Sequence, residues 1–241
     1  MALHFRPYPG FTIAAAIMTA ILVGLGVWQV QRLHWKLDLI ATMTRKMHAA
    51  PIAVDGFGGA LKQTSQNEYA RVSLSGHFDN AKEAYVFTTD PALGAVYHVL
   101  TPFETGAGDT YLVDRGMVPI GKRDPSTRAE GQIAGETHLI GIWRTPDAPG
   151  LFTPTSDPAH RVWYARDVTA IAAADHIHVA APVMIEADAA PNPGGWPKGG
   201  QTVVDLPNNH LSYAITWFGL AAGLIGVYLA YHMSKGRLGW T

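Results

Sequence analysis

Two long uncharged apolar runs bracket the chain, and between them the spacing of apolar residues shifts from helical to alternating. The first run, FTIAAAIMTAILVGLGVWQV, extends from Phe11 to Val30. The second opens at Pro207 and continues through Ile215, Trp217, Phe218, Leu224, Ile225 and Leu229 to Tyr231, with no Lys, Arg, Asp or Glu between Asp205 and Lys235. About 20 residues rising ~1.5 Å each cross a hydrocarbon layer ~30 Å thick, and a soluble core helix of that length keeps a polar face. Both runs are therefore expected to be transmembrane helices. The first is longer than the apolar part of a signal peptide, and Trp28-Gln29-Val30-Gln31-Arg32 makes a poor cleavage site, so it is expected to remain as an anchor.

After the first run, residues 31–50 read as a polar continuation of the same helix. Leu33, Leu37, Ile40 and Met47 keep a loose helical spacing until Pro51 and Asp55-Gly56-Phe57-Gly58-Gly59 break it. From Tyr69 the period moves toward two, with Val72, Leu74, Gly76 and Phe78 alternating with Arg71, Ser73, Ser75 and His77. Residues 83–88, 95–103, 110–118, 137–143 and 183–187 are rich in β-branched and aromatic side chains and are separated by turn residues, so they are expected to be strands. Asp167–Ile177 is the one helical stretch, with Asp167 as its cap. Pro191–Lys198 with Gly199 and Gly200 reads as a loop.

The fold class that follows is a membrane α+β protein: a two-helix transmembrane hairpin with a β-rich extramembrane domain inserted between the spans. The expected boundaries are a head at 1–10, a first span at 11–30, a polar helix extension and linker at 31–60, the β-rich domain at 61–206, a second span at 207–231 and a tail at 232–241. Ala16, Ala20 and Gly24 in the first span, and Gly219 and Gly223 in the second, make small-residue stripes of the kind that let helices approach closely in lipid. Such spacing is also ordinary membrane-helix composition.

Charge orients the hairpin. Every Asp and Glu lies between the spans, whereas the head and tail hold only Arg6, Lys235 and Arg237. The positive-inside rule then favours cytoplasmic termini and a periplasmic domain, although Arg32, Lys36, Arg45 and Lys46 crowd the far end of the first span. With 18 Lys+Arg against 19 Asp+Glu, the chain has no overall basic character for nucleic acid. Having no cysteine, it has no disulfide, thiolate nucleophile or Cys-ligated metal.

A hairpin brings the end of the first span and the start of the second to one membrane face. Trp28 and Gln29 should then lie level with His210, Tyr213 and Trp217. Pro207 is a helix-start residue and Asn208 or Asn209 a candidate cap. A neutral imidazole at position 210 can ligate a metal or haem iron, can hydrogen-bond a partner, or can be an interfacial His among belt aromatics. Gln29 is costly in lipid unless it is paired or reaches the interface, which makes it a candidate partner for His210.

Elsewhere the chemistry is thin. His176-Ile177-His178 has metal-like spacing only if it is a strand, because positions i and i+2 diverge on a helix. His77, His98, His138 and His160 have no companion acid or thiol at ligand spacing, and Asp114-Arg115-Gly116 reads as a buried structural ion pair in a strand, with a binding spot as the alternative. No HExxH, GxSxG or P-loop pattern occurs, so an enzyme is not expected.

Five motifs in order resemble the surfeit locus protein one family. They are Gly26-Val27-Trp28-Gln29 with Arg32 and Lys36; Tyr69-Ala70-Arg71-Val72-Ser73-Leu74-Ser75-Gly76; Tyr97-His98-Val99-Leu100-Thr101-Pro102; Val113-Asp114-Arg115-Gly116; and Asn209-His210-Leu211-Ser212-Tyr213-Ala214-Ile215-Thr216-Trp217-Phe218. The resemblance runs from about Pro9 to Tyr231; Met117 departs from it, where the family usually has Trp. It implies a two-span protein of the bacterial or mitochondrial inner membrane that assists assembly of a haem–copper terminal oxidase at haem a handling or insertion. His210 would be the carried-over residue, either as the haem ligand or as a contact to the oxidase. Trp28 and Trp217 would pack on the ring, Gln29 and Tyr213 would stand beside His210 in the cofactor-binding cluster, and Arg32, Lys36 or an Arg of the β-rich domain would meet the propionates. The implied partners are the catalytic subunit of the oxidase, haem a synthase and lipid. The alternative is a stable accessory or scaffold subunit of a cytochrome c or quinol oxidase, without haem transfer.

Overall fold

A computed structural model describes residues 3–54, 67–203 and 206–240. The expected break at residues 55–59 lies outside them. The chain divides into two compact units, Met1–Thr42 with Asp205–Thr241, and Met43–Val204. The elements in order are β1 (Leu3–Phe5), α1 (Pro9–His48), β2 (Ile52–Ala53), β3 (Arg71–Phe78), β4 (Ala84–Asp90), β5 (Gly94–Thr105), β6 (Thr110–Pro119), β7 (Thr137–Arg144), β8 (Val162–Trp163), α2 (Val168–Ala174), β9 (Met184–Ala187), α3 (His210–Ser234) and β10 (Leu238–Trp240).

In the first unit, α1 and α3 are both long and apolar enough to cross a membrane. The expected span and extension are one continuous helix of 40 residues, about 60 Å long, or twice the hydrocarbon thickness. Its last turn carries Arg45, Lys46 and His48, which suits the negative end of the helix dipole. The less exposed positions follow a heptad-like 3–4 spacing: Thr12, Ala15, Thr19, Leu22, Gly26, Gln29, Leu33 and Lys36 on α1, and His210, Ala214, Trp217, Ala221, Leu224, Tyr228 and His232 on α3.

This seam corrects the small-residue expectation. Ala16, Ala20 and Gly24 are exposed, and a Cβ at Gly24, Gly219 or Gly223 would meet nothing within 4 Å. Steps of four residues rotate by ~40° each and drift off a seam whose mean step is ~3.5. Close approach occurs at Gly26 instead, where a Cβ would come 2.7 Å from the Phe218 ring. The cap expectation also changes. Asn209 holds the N-cap position without a side-chain cap bond, and α3 begins at His210, past Pro207.

The head and tail, expected as simple flanks, pair as an antiparallel ribbon of β1 with β10. Beside it His232 is fully buried. Its Nδ1 donates to the Tyr228 carbonyl at 2.9 Å, and its Nε2 accepts from the Tyr8 N–H at 3.4 Å. Phe11 stacks on it with ring centroids 5.9 Å apart, and Thr12 bonds the Tyr228 hydroxyl at 2.6 Å. With both nitrogens engaged, this His ties the termini together.

The second unit is the expected β-rich domain. Its sheet order is β2-β3-β7-β9-β6-β5-β4-β8, and β3 also pairs with β5. Strands β3, β7, β9, β6 and β5 thus close a ring, from which β4 and β8 continue. Closure needs Gly76, where a Cβ would lie 2.0 Å from the Glu104 carbonyl oxygen. Alternation sends Tyr111, Val113 and Ile185 to one core with Val72, Phe103 and Trp143, and Leu112 and Met184 to another with Val86, Leu100, Trp163 and Ile171. Both faces are therefore buried, which is why these strands read as nearly continuous apolar runs. α2 covers the second core, and Asp167 caps it by accepting from the Ala170 N–H at 3.0 Å.

Candidate functional site

In the helical unit, His210 and Gln29 meet. Gln29 Oε1 lies 2.7 Å from His210 Nδ1. Gln29 is buried and His210 half-buried. The seam explains the meeting: Gln29 is three residues after Gly26 on α1, and His210 is four before Ala214 on α3. With the amide oxygen as acceptor, Nδ1 carries the proton and Nε2 is left with its lone pair. Just before α3, Asn208 Oδ1 is buried with no hydrogen-bond partner among the described residues.

The other expected site residues are less drawn together. Trp217 shares the seam with His210 and is half-buried. Tyr213, expected on the same face, is 55% exposed, because the seam passes through Ala214 and leaves position 213 turned aside. Trp28 is 52% exposed. Arg32 is exposed too, its guanidinium 3.8 Å from the centroid of the Trp35 ring. The structure thus assembles Gln29 and His210 with Trp217 on the same seam, and leaves Trp28, Tyr213 and Arg32 off it.

The β domain holds a polar site that spacing did not reveal. His98 Nδ1 donates to Asp114 Oδ2 at 2.8 Å, and Asp114 Oδ1 accepts from the Gly116 N–H at 2.9 Å. Arg166 Nη1 donates to Glu186 at 2.6 Å and lies 3.9 Å from Asp114, while its Nη2 is 2.7 Å from Asp147. Thr202 donates to the other oxygen of Glu186. Burial alone would lower the His98 pKa, but the Asp114 carboxylate outweighs it and holds the imidazole above its ordinary value. Burial would likewise raise Asp114, and His98, Arg166 and the Gly116 N–H hold it below the usual carboxylate range. His98, Met117 and Arg166 line a cavity of about 530 Å³, with Phe87 and Tyr164 in its wall.

The structure also corrects the reading of Asp114 and Arg115 as an ion pair. Neighbours on a strand point to opposite faces. Arg115 goes the other way, donating to Asn80 Oδ1 at 3.1 Å and to the Gly131 carbonyl, 3.7 Å from Glu83. Burial pushes its pKa down to about 10 against the pull of Glu83. Glu83 in turn is gripped by Arg128 through both carboxylate oxygens, by Gln132 at 3.0 Å and by the Tyr85 hydroxyl at 2.9 Å. His176 and His178 line a separate cavity with Asp79, Lys82 and Glu104. Among the described residues no three His, Asp or Glu side chains converge as a metal site.

Comparison with known proteins places these residues in context. The model of the SURF1 family matches residues 16–222, which takes in both the Gln29–His210 pair and the β domain. Surfeit locus protein 1 of Mus musculus is 40% identical over 221 residues, covering 86% of this chain and 70% of that protein. The Homo sapiens protein of the same name is 40% identical over 215 residues, covering 83% and 70%. A SURF1-like protein of Drosophila melanogaster is 35% identical over 224 residues, covering 86% and 72%.

Proposed function

The chain belongs to the SURF1 family, and from that premise we propose that it is a non-enzymatic assembly factor for a haem–copper terminal oxidase. It holds haem a as cargo at His210 and passes it to the catalytic subunit, working from an inner membrane with its β domain on the periplasmic side, or in the intermembrane space of a mitochondrion.

The observation that carries this reading is the 2.7 Å contact between Gln29 Oε1 and His210 Nδ1. It engages Nδ1 and leaves Nε2 as the atom that would bind iron, the arrangement by which metal-ligating histidines are commonly oriented. The position suits the cargo. His210 opens an apolar span, so iron held there sits at the boundary while the lipophilic tail stays in hydrocarbon. Trp217 offers an aromatic edge, and the buried Asn208 Oδ1 is an acceptor for a polar substituent of the ring. A single His ligand also suits a carrier, which has to release what it holds.

The test is His210→Ala, with haem co-purification and the haem content of the client oxidase as readouts. Both should fall at least tenfold. Unchanged values for both would reject the ligand role. Unchanged haem, together with stoichiometric recovery of the chain in the purified oxidase, would identify an accessory subunit instead.

A further inference from the structure

The cavity of the β domain contains donors that the cargo role leaves unused. His98 on β5 and Met117 on β6 stand directly opposite each other in the ladder. Opposed residues of an antiparallel pair leave the same face of the sheet. The register shifts beside them, between His98 and Leu100, and Gly116 there has φ +108°. That bulge inserts a residue into β6 and so returns Met117 to the face already occupied by Asp114. Gly116 is fixed in this role, since a Cβ would fall 1.9 Å from the Lys198 carbonyl oxygen. His98 and Met117 both line the cavity of about 530 Å³.

The electronics favour a cation there. Asp114 occupies His98 Nδ1, which leaves Nε2 as the cavity-side donor and makes it more basic. Asp90 and Asp147 line the cavity and Asp114 and Glu186 stand behind it, with Arg166 set against them and Arg144 3.5 Å from Glu186, so carboxylates outnumber guanidinium groups around it. Opposed residues have Cβ atoms ~4.5–5.5 Å apart. Bonds of about 2.0 Å to nitrogen and 2.3 Å to sulfur, the lengths usual for zinc, span such a gap through one ion. The donor set selects that ion. Calcium, magnesium and manganese need several oxygen ligands, and structural zinc needs four donors without thioether sulfur. An imidazole with a thioether suits a soft, low-coordinate monovalent ion.

We propose that His98 Nε2 and Met117 Sδ form a binding site for monovalent copper in the β domain. The site is independent of the haem reading and shares no residue with it.

The test uses the full chain in detergent, titrated anaerobically with Cu(I) against a colorimetric Cu(I) chelator. The wild type should withdraw one equivalent from the chelator. Met117→Leu, close in size and shape, should bind at least tenfold more weakly with an unchanged unfolding midpoint, whereas Met233→Leu, remote from the cavity, should bind as the wild type does. X-ray absorption of the loaded wild type should show a sulfur neighbour that Met117→Leu lacks. The proposal is overturned if the wild type takes no Cu(I) from the chelator, or if Met117→Leu binds equally well with the same sulfur signal.

Discussion

At the scale of single residues, the polar side chains that matter are those held where a polar group is expensive. Gln29 lies within an apolar helix and is tolerated because its amide oxygen meets His210. Gln29→Leu keeps the bulk and removes the acceptor. It should cost only about 1 kcal/mol of hairpin stability, since hydrogen bonds between membrane helices are individually weak. If His210 holds haem as proposed, haem retention should nevertheless fall several-fold, because the imidazole loses the group that fixes its tautomer; the haem-to-protein ratio after purification reads this. Glu83 behaves differently. Burial would raise its pKa, but Arg128, Gln132 and Tyr85 hold it below the usual carboxylate value. A carboxyl lowered in the folded state gives stability that is present above its unfolded pKa, about 4.3, and lost as pH falls through the folded value. Glu83→Gln leaves the Arg128 guanidinium buried without its counter-charge, which should cost about 3 kcal/mol at neutral pH. Thermal unfolding of the full chain followed from pH 7 to 3 should show a lower midpoint for the variant and a shallower acid decline. The two sites were unequally legible. Gln29 and His210 could be paired from sequence because an antiparallel hairpin fixes which residues are level. His98 and Asp114 are 16 positions apart on neighbouring strands, and their meeting depends on the turn length and the bulge at Gly116. Neither quantity can be counted from residue types.

At the scale of elements, alternation and turn residues located β3, β4, β5, β6, β7 and β9 to within a few residues, and Asp167 located α2. What they missed were short pieces. β2 and β8 have two residues each, and β1 and β10 three, too few for any period to show. The spans were plain from their lack of charge, but the stripe that packs them was not. Spacing of four is conspicuous in a sequence, whereas the true seam mixes threes and fours and includes Gln29, Tyr228 and His232, which are not small. Gly26 is where that seam is tightest. Gly26→Leu has to displace Phe218 or part the helices, and overpacking of this kind costs about 1–3 kcal/mol. Detergent unfolding of the full chain should show that loss. Gly24→Leu, with open space around it, should leave the midpoint within about 0.5 kcal/mol of wild type.

At the scale of the whole molecule, long-range pairings decide the architecture, and these are what local pattern cannot supply. The ring closes because three residues at the end of β3 pair with the end of β5, and the first and last strands pair across the entire sequence. The β1–β10 ribbon and the His232 cluster keep head and tail together, so any orientation that holds for one terminus holds for both. Charge pulls both ways between the two orientations. Arg6, Lys235 and Arg237 favour cytoplasmic termini, and Arg32, Lys36, Arg45 and Lys46 oppose this, yet a long translocated domain is largely exempt from the rule. The chain has no cysteine, so single introduced thiols report position without background. Leu151→Cys, at a loop residue 92% exposed in the β domain, should react with a membrane-impermeant maleimide added to right-side-out vesicles. Ser234→Cys, at the end of α3, should react only after the membrane is permeabilised. The reverse pattern would put the Gln29–His210 pair at the cytoplasmic face, and a cargo handed over at the periplasmic side could not then be held by it.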